Sequence, residues 1–418
     1  MPANPRALLL DLFRCAVAAV DPAVCILPFL PPAPEGRLIV IGAGKAAARM
    51  AEAVERHYAG KLEGLVVTRY GHGAATRHIE VIEAAHPVPD DAGARAATRM
   101  LALVHGLNAD DLVLCLVSGG GSALLALPAP GITMEDKRAI TRALLASGAP
   151  IAEMNRVRRH LSAIKGGRLA LACHPARVVT LVVSDVPGDD PAVVASGPTV
   201  PDGSSGRDAL AVLEQYRIVV PDRVRALLSD PANDAPLPGD PRLARNEVHV
   251  VGSAQQALDA AAALAQARGY AALVLSDCIE GEARAVAQDH AAMVRRVLSG
   301  AEQLVPPCVI LSGGETTVTV RGEGRGGRNA EFLLALAIAL DGEARVHALA
   351  CDTDGIDGTE DNAGALIDPG TLARCPLDAR TLLERNDAYR YFAALGDLVV
   401  TGPTRTNVND FRAILIES

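Results

Sequence analysis

The chain has 418 residues, of which 50% are hydrophobic and 21% are charged, and its formal net charge is −9. This length exceeds that of one typical domain and predicts two or three domains, and the composition excludes a disordered chain. The net negative charge excludes a general binder of nucleic acids or acidic membranes, because such proteins present a basic surface. We therefore expect a small-molecule partner, with no nucleic acid and no membrane.

The eight cysteines are scattered and show no CxxC spacing, which indicates reduced packing in a cytosolic protein. The apolar run at residues 8–10 is followed at once by Asp11 and Arg14. These charges favour an amphipathic first helix over a signal peptide or a membrane span. We predict a cytoplasmic protein. The sequence does not fix the oligomeric state, and a homo-oligomer is allowed.

After a proline-rich break, strand and helix patterns alternate along the chain. The predicted strands lie at residues 37–41, 64–68, 79–84, 111–117 and 178–185, and the predicted helices at 45–58, 92–106, 134–148 and 151–169. This alternation predicts a Rossmann-like, doubly wound parallel sheet. In such a sheet, ligands bind at the carboxyl ends of the strands.

Residues 230–246 are rich in proline and aspartate and have no periodicity, which predicts a domain linker or a long surface loop. Beyond them the alternation restarts, with strands at 248–251, 271–276, 309–311, 346–350 and 413–416. We therefore predict an N-terminal Rossmann-like α/β domain at residues 1–240. A second α/β domain would span residues 241–418.

The first strand ends in a glycine turn, Gly42-Ala43-Gly44-Lys45. With Ala47 it matches the G-x-G-x-x-A form of a dinucleotide fingerprint, but the next strand ends at Arg69 with no acid for the ribose. Arg69 could meet the 2′-phosphate of NADP. In a second interpretation Lys45 neutralises a phosphoryl group, and in a third the turn is purely structural.

A second glycine turn, Ser118-Gly119-Gly120-Gly121-Ser122, follows another buried strand. Successive glycines direct backbone N–H groups toward one point, so the turn predicts an anion site. A flexible connector is the alternative. The chain has no G-x-x-x-x-G-K-[ST] motif and is not a P-loop enzyme.

Two further clusters carry charge. The basic one is Asn155–Ser162 with Lys165 to Arg168, in which Arg158 and Lys165 are candidates for an anion and His160 is more typical of a structural residue. The acidic one, residues 184–190, places Asp189 at a strand end, as a Mg²⁺–nucleotide site requires. Residues 351–358 resemble a calcium-binding loop, but Ile356 stands where a ligand is needed. The acids of this segment either face the site or cap a turn.

Residues 309–332 are the most distinctive stretch. They predict a buried strand, a tight turn at residues 312–315 containing Gly313, Gly314 and Glu315, a second β-run to Val320 and a helix beginning near Ala330. Between the β-run and the helix lies a loop of glycines and arginines that includes Arg325. Glycine N–H groups, forked arginine donors and a helix N-terminus together favour a phosphorylated ligand. A solvated hairpin tip is the alternative.

Eight segments, in order, resemble the signatures of the glycerate 2-kinase family, the non-P-loop glycerate kinases with a leucine-rich C-terminal domain. They are GAGKAAARM, AAHPVPDDAG, VSGGGSALL, MNRVRRHLSAIKGGRLA, SDVPGDDPAVVASGPT, LSGGETTVTVRGEGRGGRNAEF, DTDGIDG and TGPTRTNVNDF. The resemblance implies an enzyme of two α/β domains with its active site in the interdomain cleft. It also implies ATP- and Mg²⁺-dependent phosphorylation of D-glycerate to 2-phosphoglycerate.

The resemblance also implies roles for residues. Lys45 and Arg325 occupy the positions of the family's proposed catalytic residues, and Asp189 and Glu315 become candidates for holding Mg²⁺ or orienting the 2-hydroxyl. Arg158 and Lys165 become candidates for the glycerate carboxylate. The two glycine turns, with Gly313, Gly314 and Asn329, become candidates for the nucleotide. Ala330 and Arg405 depart from the family's usual glutamine and glycine.

Two other functions stay open. Members of the family are sometimes labelled hydroxypyruvate reductases, and the first glycine turn is the feature that favours an NAD(P)H-dependent enzyme. The other alternative is a non-catalytic sensor of sugar acids or phosphates, which the retained Lys45 and Arg325 disfavour.

Overall fold

The computed structural model describes residues 4–418, which form two compact units. The middle unit spans residues 22–251, and the terminal unit combines residues 4–21 with residues 252–418. These units differ from the predicted domains in two respects: the first helix groups with the C-terminal part of the chain, and the middle unit extends past residue 240.

Within residues 4–418 the strands, in chain order, are β1 (Leu38–Ala43), β2 (Glu63–Arg69), β3 (Ile79–Ala84), β4 (Leu112–Ser118), β5 (Arg177–Val183), β6 (Glu247–Gly252), β7 (Ala271–Val274), β8 (Ile279–Glu282), β9 (Cys308–Thr317), β10 (Val346–Asp352), β11 (Gly364–Ile367), β12 (Leu398–Val399) and β13 (Asp410–Ile416).

The α-helices of the same residues are α1 (Pro5–Ala19), α2 (Pro22–Cys25), α3 (Ala47–His57), α4 (Asp91–Leu103), α5 (Gly121–Leu124), α6 (Met134–Ala146), α7 (Ile151–His160), α8 (Arg168–Ala172), α9 (Gly206–Gln215), α10 (Asp222–Ser229), α11 (Ala254–Ala267), α12 (Ala283–Leu298), α13 (Arg328–Leu340), α14 (Thr371–Arg374), α15 (Ala379–Glu384) and α16 (Ala388–Leu395). Short 3₁₀ segments lie at Leu27–Phe29, Pro187–Asp189, Val194–Ser196, Pro231–Asn233 and Pro241–Leu243.

The middle unit is built on a six-stranded sheet with the order β3-β2-β1-β4-β5-β6. Strands β1 to β5 pair in parallel, which confirms the predicted Rossmann-like sheet. Every residue of β1 and β4 is buried, as expected for strands covered by helices on both faces. The chain order reverses between β1 and β4, so the loops that follow these two strands meet at the switch point of the sheet.

Strand β6 was predicted to open the second domain, and this is wrong, because β6 forms the edge of the first sheet beside β5. The segment at residues 230–246 is therefore a loop inside the middle unit and not a domain linker. It contains two of the 3₁₀ segments, each started by the side chain of an aspartate that accepts a backbone N–H.

The helix predicted over residues 151–169 is interrupted. Helix α7 ends at His160 and α8 begins at Arg168, and between them Gly166 and Gly167 have φ values of 62° and 82°. Only glycine adopts this backbone region without strain, so the two glycines end the helical run. The break brings Lys165 into a loop that lies against the core.

The terminal unit has a mixed sheet with the order β12-β11-β10-β13-β9-β7, and β8 also pairs with β9. Its α/β class is as predicted, although the central pairs β10–β13 and β13–β9 are antiparallel. Helix α1 buries Leu8, Leu9, Leu12 and Phe13, and the Phe13 ring lies 5.8 Å from that of Phe411.

No single helix within residues 4–418 is long and apolar enough to cross a membrane. Only the broken pair formed by α1 and residues 22–29 passes on combined length and composition.

The tight turn predicted at residues 312–315 is absent, because β9 runs unbroken from Cys308 to Thr317. Gly313 and Gly314 pair with Phe411 and Asp410 of β13, and Gly314 also pairs with Ile279 of β8. A Cβ on Gly314 would lie 2.2 Å from the Ile279 carbonyl oxygen. These glycines therefore allow close strand approach and do not form a turn.

Candidate active site

The first glycine turn lies at the switch point, and its backbone N–H groups bond within the protein. The Gly44 N–H donates to the Val67 carbonyl, and the Lys45 N–H donates to the Gly119 carbonyl. The Ala46 N–H donates to the Ser118 hydroxyl, and the Ala47 N–H donates to the Gly44 carbonyl. All four distances lie between 2.8 and 3.1 Å. A dinucleotide fingerprint works by offering such groups to a pyrophosphate. In this conformation the turn offers none of these four.

The glycines of this turn have a packing role. A Cβ on Gly42 would lie 2.0 Å from the Leu116 carbonyl oxygen, and one on Gly44 would lie 2.1 Å from the Ser118 hydroxyl. Both residues let β1 and its loop approach β4. The Lys45 side chain passes beside the second turn, since a Cβ on Gly120 would lie 3.5 Å from Lys45 Cγ.

The second turn, Ser118 to Ser122, has unused backbone donors. Within residues 4–418, the N–H groups of Gly120, Gly121 and Ser122 have no hydrogen-bond acceptor. Gly120 adopts φ 79°, and a Cβ on Gly121 would lie 2.7 Å from that of Ala195, so both positions favour glycine. Consecutive unused N–H groups at a strand end form a concave anion-binding nest.

Three cations lie near this turn without a carboxylate partner in the part of the chain that the structure describes. Lys165 is buried and donates to the Ser122 carbonyl at 2.8 Å and to its hydroxyl at 2.7 Å. Arg158 donates to the Asn155 side chain at 3.3 Å, and Lys137 of α6 donates to the Leu127 carbonyl at 3.3 Å. The structure thus brings the predicted Arg158 and Lys165 together with the predicted turn.

Lys137, Arg158 and Lys165 all have a lowered affinity for protons, and no carboxylate in the described residues neutralises their charges. Burial, followed by the charges of Lys137 and Arg158, holds the pKa of Lys165 well below its usual value. Burial and the charge of Arg168 lower the pKa of Lys137 to about 8, and burial lowers the pKa of Arg158. Crowded cations in a buried place resist protonation, and a bound anion would relieve that cost.

These groups line one pocket of about 770 Å³ inside the middle unit. Its walls are the segments at 86–89 and 120–126, one face of α6, and the side chains of Arg158 and Lys165. The one carboxylate in this lining, Glu135, is exposed and pairs with Arg142 at 2.7 Å. The pocket is therefore strongly positive at its buried end.

The loop that follows β5 holds strained backbone. Asp189, Ala195 and Ser196 have φ values of 54°, 52° and 63°, although none is glycine. Such outliers persist where the surrounding structure enforces them, and they are enriched at functional sites. The Ser196 hydroxyl lies 2.8 Å from that of Ser122, which accepts a hydrogen bond from Lys165. Asp189 is half-buried in the same loop.

Sequence reasoning missed Lys137 and Ser196. Lys137 is one of only four lysines among 40 lysine and arginine residues, and this rarity is the one sequence feature that could have drawn attention to it. The packing of α6 against the core decides that Lys137 faces the pocket. Nothing in the local sequence marks Ser196 as a neighbour of Ser122.

In the terminal unit the predicted Arg325 lies on the surface, with 63% of its side chain exposed. It pairs with Glu360, and its guanidinium carbon lies 4.7 Å from the centre of the Tyr389 ring. Its backbone N–H donates to Asp387 at 3.0 Å. The loop is thus fixed on α16, and the charged end of Arg325 meets solvent.

A neighbouring arginine, Arg328, is enclosed by acids. Its guanidinium contacts Asp410 at 2.7 Å, Asp352 at 2.9 Å and Glu315 at 3.0 Å. Burial opposes the charge, but the three carboxylates outweigh burial and raise the pKa of Arg328. Arg412 contacts the same Asp410 and is fully buried. This network joins the start of α13 to β9, β10 and β13.

The predicted Asn329 is part of the same network. Its side-chain amide donates to Asp410 at 2.8 Å, and its backbone N–H donates to Asp357 at 3.0 Å. Asp357 also accepts the N–H of Ala330, and burial raises the pKa of Asp357 to about 6. Asp357 therefore caps α13, which agrees with the capped-turn interpretation of its loop. The structure brings Glu315, Arg328 and Asn329 together, while Arg325 points elsewhere.

No group of three or more His, Cys, Asp or Glu side chains in the described residues 4–418 could hold a metal ion. The predicted ligand Glu315 is half-exposed and already contacts Arg328. Mg²⁺ bound with a nucleotide commonly uses one or two protein carboxylates, with phosphates and waters completing its shell. Carboxylates such as those of Asp189 and Glu315 are of the chemical type in that donor set.

Two family models match the chain in order. The domain of unknown function DUF4147 matches residues 8–229, and the MOFRL family matches residues 308–410. The first match ends in the middle unit, and the second covers the loop that contains Arg325 and the carboxylates around Arg328 in the terminal unit.

Curated relatives and a solved structure match almost the whole chain. The D-glycerate 2-kinase of Thermotoga maritima is 41% identical over 415 residues, covering 98% of each chain. A putative hydroxypyruvate reductase of Agrobacterium vitis is 51% identical over 419 residues, covering 99% of this chain and 95% of that protein. The crystal structure of a glycerate kinase from Thermotoga maritima has a TM-score of 0.91 and 40% identity, covering 98% of this chain and 99% of that one. The chain belongs to the glycerate kinase family, whose DUF4147 and MOFRL parts it carries in that order.

Proposed function

We propose that the protein transfers a phosphoryl group from ATP to the 2-hydroxyl of D-glycerate, giving 2-phosphoglycerate and ADP. The observation that carries the proposal is the set of unpaired cations, Lys137, Arg158 and Lys165, beside the unused N–H groups of the Ser118–Ser122 turn. Both substrates are anions, and this arrangement favours anions. The name of the Thermotoga relative, D-glycerate 2-kinase, supports the same choice of reaction.

The chemistry of phosphoryl transfer suits these residues. Charge spreads over the oxygens of the transferred group, so catalysis depends on positioning and on electrostatic stabilisation. We assign the Ser118–Ser122 turn to the phosphates and Lys45, whose side chain passes Gly120, to the transferred group. Gly42 and Gly44 support that turn by letting β1 approach β4.

The acid substrate needs a partner for its carboxylate and one for its hydroxyl. Arg158 and Lys165 are assigned to the carboxylate, because a charge-assisted contact there would neutralise buried cations. Asp189 is assigned to the 2-hydroxyl, where its carboxylate would orient the proton of the nucleophile. Its strained backbone supports a functional role.

Mg²⁺ is part of the proposal, with Asp189 and Glu315 as the candidate carboxylates. When bound with the nucleotide, the ion neutralises negative charge on the phosphates. Arg325 remains a proposed catalytic residue; its side chain is 63% exposed, and a ligand would compete with Glu360 for its guanidinium. Gly313, Gly314 and Asn329 remain predicted nucleotide contacts, although their backbone or side-chain groups take part in the sheet and in the Arg328 network.

The alternative is an NAD(P)H-dependent hydroxypyruvate reductase, as the name of the Agrobacterium relative suggests. That activity would use the first glycine turn for a pyrophosphate. The four N–H groups from Gly44 to Ala47 already donate to protein oxygens, which weighs against it.

A coupled assay separates the two. Purified protein is supplied with ATP, Mg²⁺ and D-glycerate, and ADP release is followed; the product is then offered to enolase with and without phosphoglycerate mutase. We expect glycerate-dependent ADP release, abolished by chelation of Mg²⁺, and a product that enolase consumes without the mutase. A requirement for the mutase would place the phosphate on the 3-hydroxyl. Oxidation of NAD(P)H by hydroxypyruvate without ADP release would overturn the kinase proposal.

A further inference from the structure

The pocket of the middle unit is larger than a three-carbon acid requires. Its volume of about 770 Å³ lies within the roughly 300–1,000 Å³ typical of sites for larger small molecules. Its buried end holds Lys165 and Arg158, the groups assigned to glycerate. The remaining space extends along α6.

Helix α6 presents a mixed face to this space. Met134, Lys137, Thr141 and Leu145 recur at the spacing of one helical face, and all four line the pocket. The opposite face, with Ile140 and Leu144, is packed in the core. The core face therefore holds the helix in place, while Lys137 lies between Met134 and Leu145 on the pocket face. Two further cations of α6 line the pocket, but Arg138 donates to the Pro89 carbonyl at 2.8 Å and Arg142 pairs with Glu135 at 2.7 Å.

Two large apolar side chains lie at the exposed end of the pocket, beside the exposed Glu135 and Arg142 pair. Val88 and Leu145 both line the pocket and are among the exposed large hydrophobic residues of the protein. Apolar side chains that stay exposed on a pocket wall suit a flat, poorly hydrated ring. Lys137 lies on the same helix face, about two turns from Leu145. Its charge lowers the pKa of Lys165, which lies at the buried end.

Lys137 has no carboxylate partner within residues 4–418. Lys137 donates to the Leu127 carbonyl at 3.3 Å, and its pKa is lowered by burial and by the charge of another cation, Arg168. A lysine buried among cations gains most from a ligand group with more than one negative charge, and a phosphate chain is such a group.

We infer that the α6 face of this pocket binds the nucleotide, with the purine ring against Val88 and Leu145 and the phosphate chain at Lys137. The inference rests on the proposed function, because it takes ATP to be the donor. It places the phosphates between the base wall and the acid held by Lys165 and Arg158, which is the order that phosphoryl transfer requires.

The test is direct binding of a non-hydrolysable ATP analogue by calorimetry, which needs no turnover. We expect Lys137→Met to weaken this binding by about 10- to 100-fold, the loss expected for one charge-assisted contact. Lys137→Arg should retain most of the affinity, and Lys61→Met, the same change at an exposed lysine, should leave it unchanged. Thermal unfolding checks that each variant is folded.

A second variant separates the two ends of the pocket. Lys165→Met should raise the KM for glycerate more than it weakens binding of the ATP analogue, and Lys137→Met should do the reverse. Unchanged analogue binding in folded Lys137→Met would overturn the inference while leaving the kinase proposal intact. Lys137-dependent binding in a protein that does not phosphorylate glycerate would support the inference and overturn the kinase proposal. A wild-type protein that does not bind the analogue would overturn the inference.

Discussion

Arg328 of the terminal unit and the pocket lysines of the middle unit are held in opposite ways. In the terminal unit Arg328 meets three carboxylates, and its pKa is raised. In the middle unit Lys137 and Lys165 have no carboxylate partner in the described residues, and their pKa values are lowered. Both sets are partly or fully buried, so burial does not separate them. A buried cation indicates an anion site when its own protein leaves its charge unbalanced.

The comparison predicts that Arg328 acts mainly in stability. Arg328→Ala would leave the buried Asp410 and Asp352 without this cation, and removing one partner of a buried ion pair costs about 3–5 kcal/mol. We expect the free energy of unfolding, measured in denaturant, to fall by that amount. Arg296→Ala, which breaks a surface pair with Glu302, should cost no more than about 1 kcal/mol.

A stable Arg328→Ala protein with strongly reduced turnover would contradict this structural role. Such a result would mean that the carboxylates tolerate the loss and that Arg328 acts on the substrates.

Arg325 should behave in the opposite way. Its exposed side chain contributes little to folding, so Arg325→Ala should change the free energy of unfolding by less than about 0.5 kcal/mol. If it stabilises the transferred group, kcat should fall by about 100- to 1,000-fold, as for other preorganised donors. Steady-state kinetics and thermal unfolding measured on one preparation would separate the two effects.

The matched control for Arg325 is Arg390→Ala, an exposed arginine of the adjoining helix whose closest acid, Asp387, is 4.0 Å away. It should leave both kcat and stability unchanged. Near-normal turnover in Arg325→Ala would remove this residue from the catalytic role.

The sequence was sufficient for the parallel sheet because its buried strands are continuous apolar runs, and β1 to β5 lie where the pattern predicts them. It was insufficient where glycine has a packing role. Gly313 and Gly314 predict a turn from local preference, yet they lie inside β9 because β8 approaches their backbone. The edge position of β6 likewise depends on pairing with β5, which no local pattern encodes.

The site divides in the same manner. The two glycine turns and the cluster at Arg158 and Lys165 were predictable, because a glycine turn after a buried strand of a parallel sheet lies at the ligand edge. The distinction between Arg325 and Arg328 was not predictable, because the two arginines lie three positions apart in one glycine-rich stretch and differ in the acids they contact. Lys137 was missed because an isolated lysine on an amphipathic helix resembles a solvated one until the packing of α6 is known.

The smallest predicted effect uses the lowered pKa of Lys137, which is about 8 as a result of burial and of the charge of Arg168. A bound phosphate favours the protonated amine, so affinity for the ATP analogue should be nearly constant up to about pH 7 and should fall by about twofold at pH 8. By pH 9 the loss should approach about tenfold, because one pH unit above the pKa the protonated fraction is about one tenth. The neighbouring cations Lys165 and Arg158 and the surface pair of Glu135 with Arg142 are common to all variants.

Lys137→Arg isolates this effect, because a guanidinium stays charged throughout the same pH range. Calorimetry from pH 7 to pH 9.5 should therefore show a decline for the wild-type protein that is reduced in Lys137→Arg. An equal decline in both proteins would assign the titration to another group, such as Lys165, whose pKa is also lowered by burial and by its cationic neighbours. The unbalanced charge of the pocket would then lie at the end that holds Lys165 and Arg158.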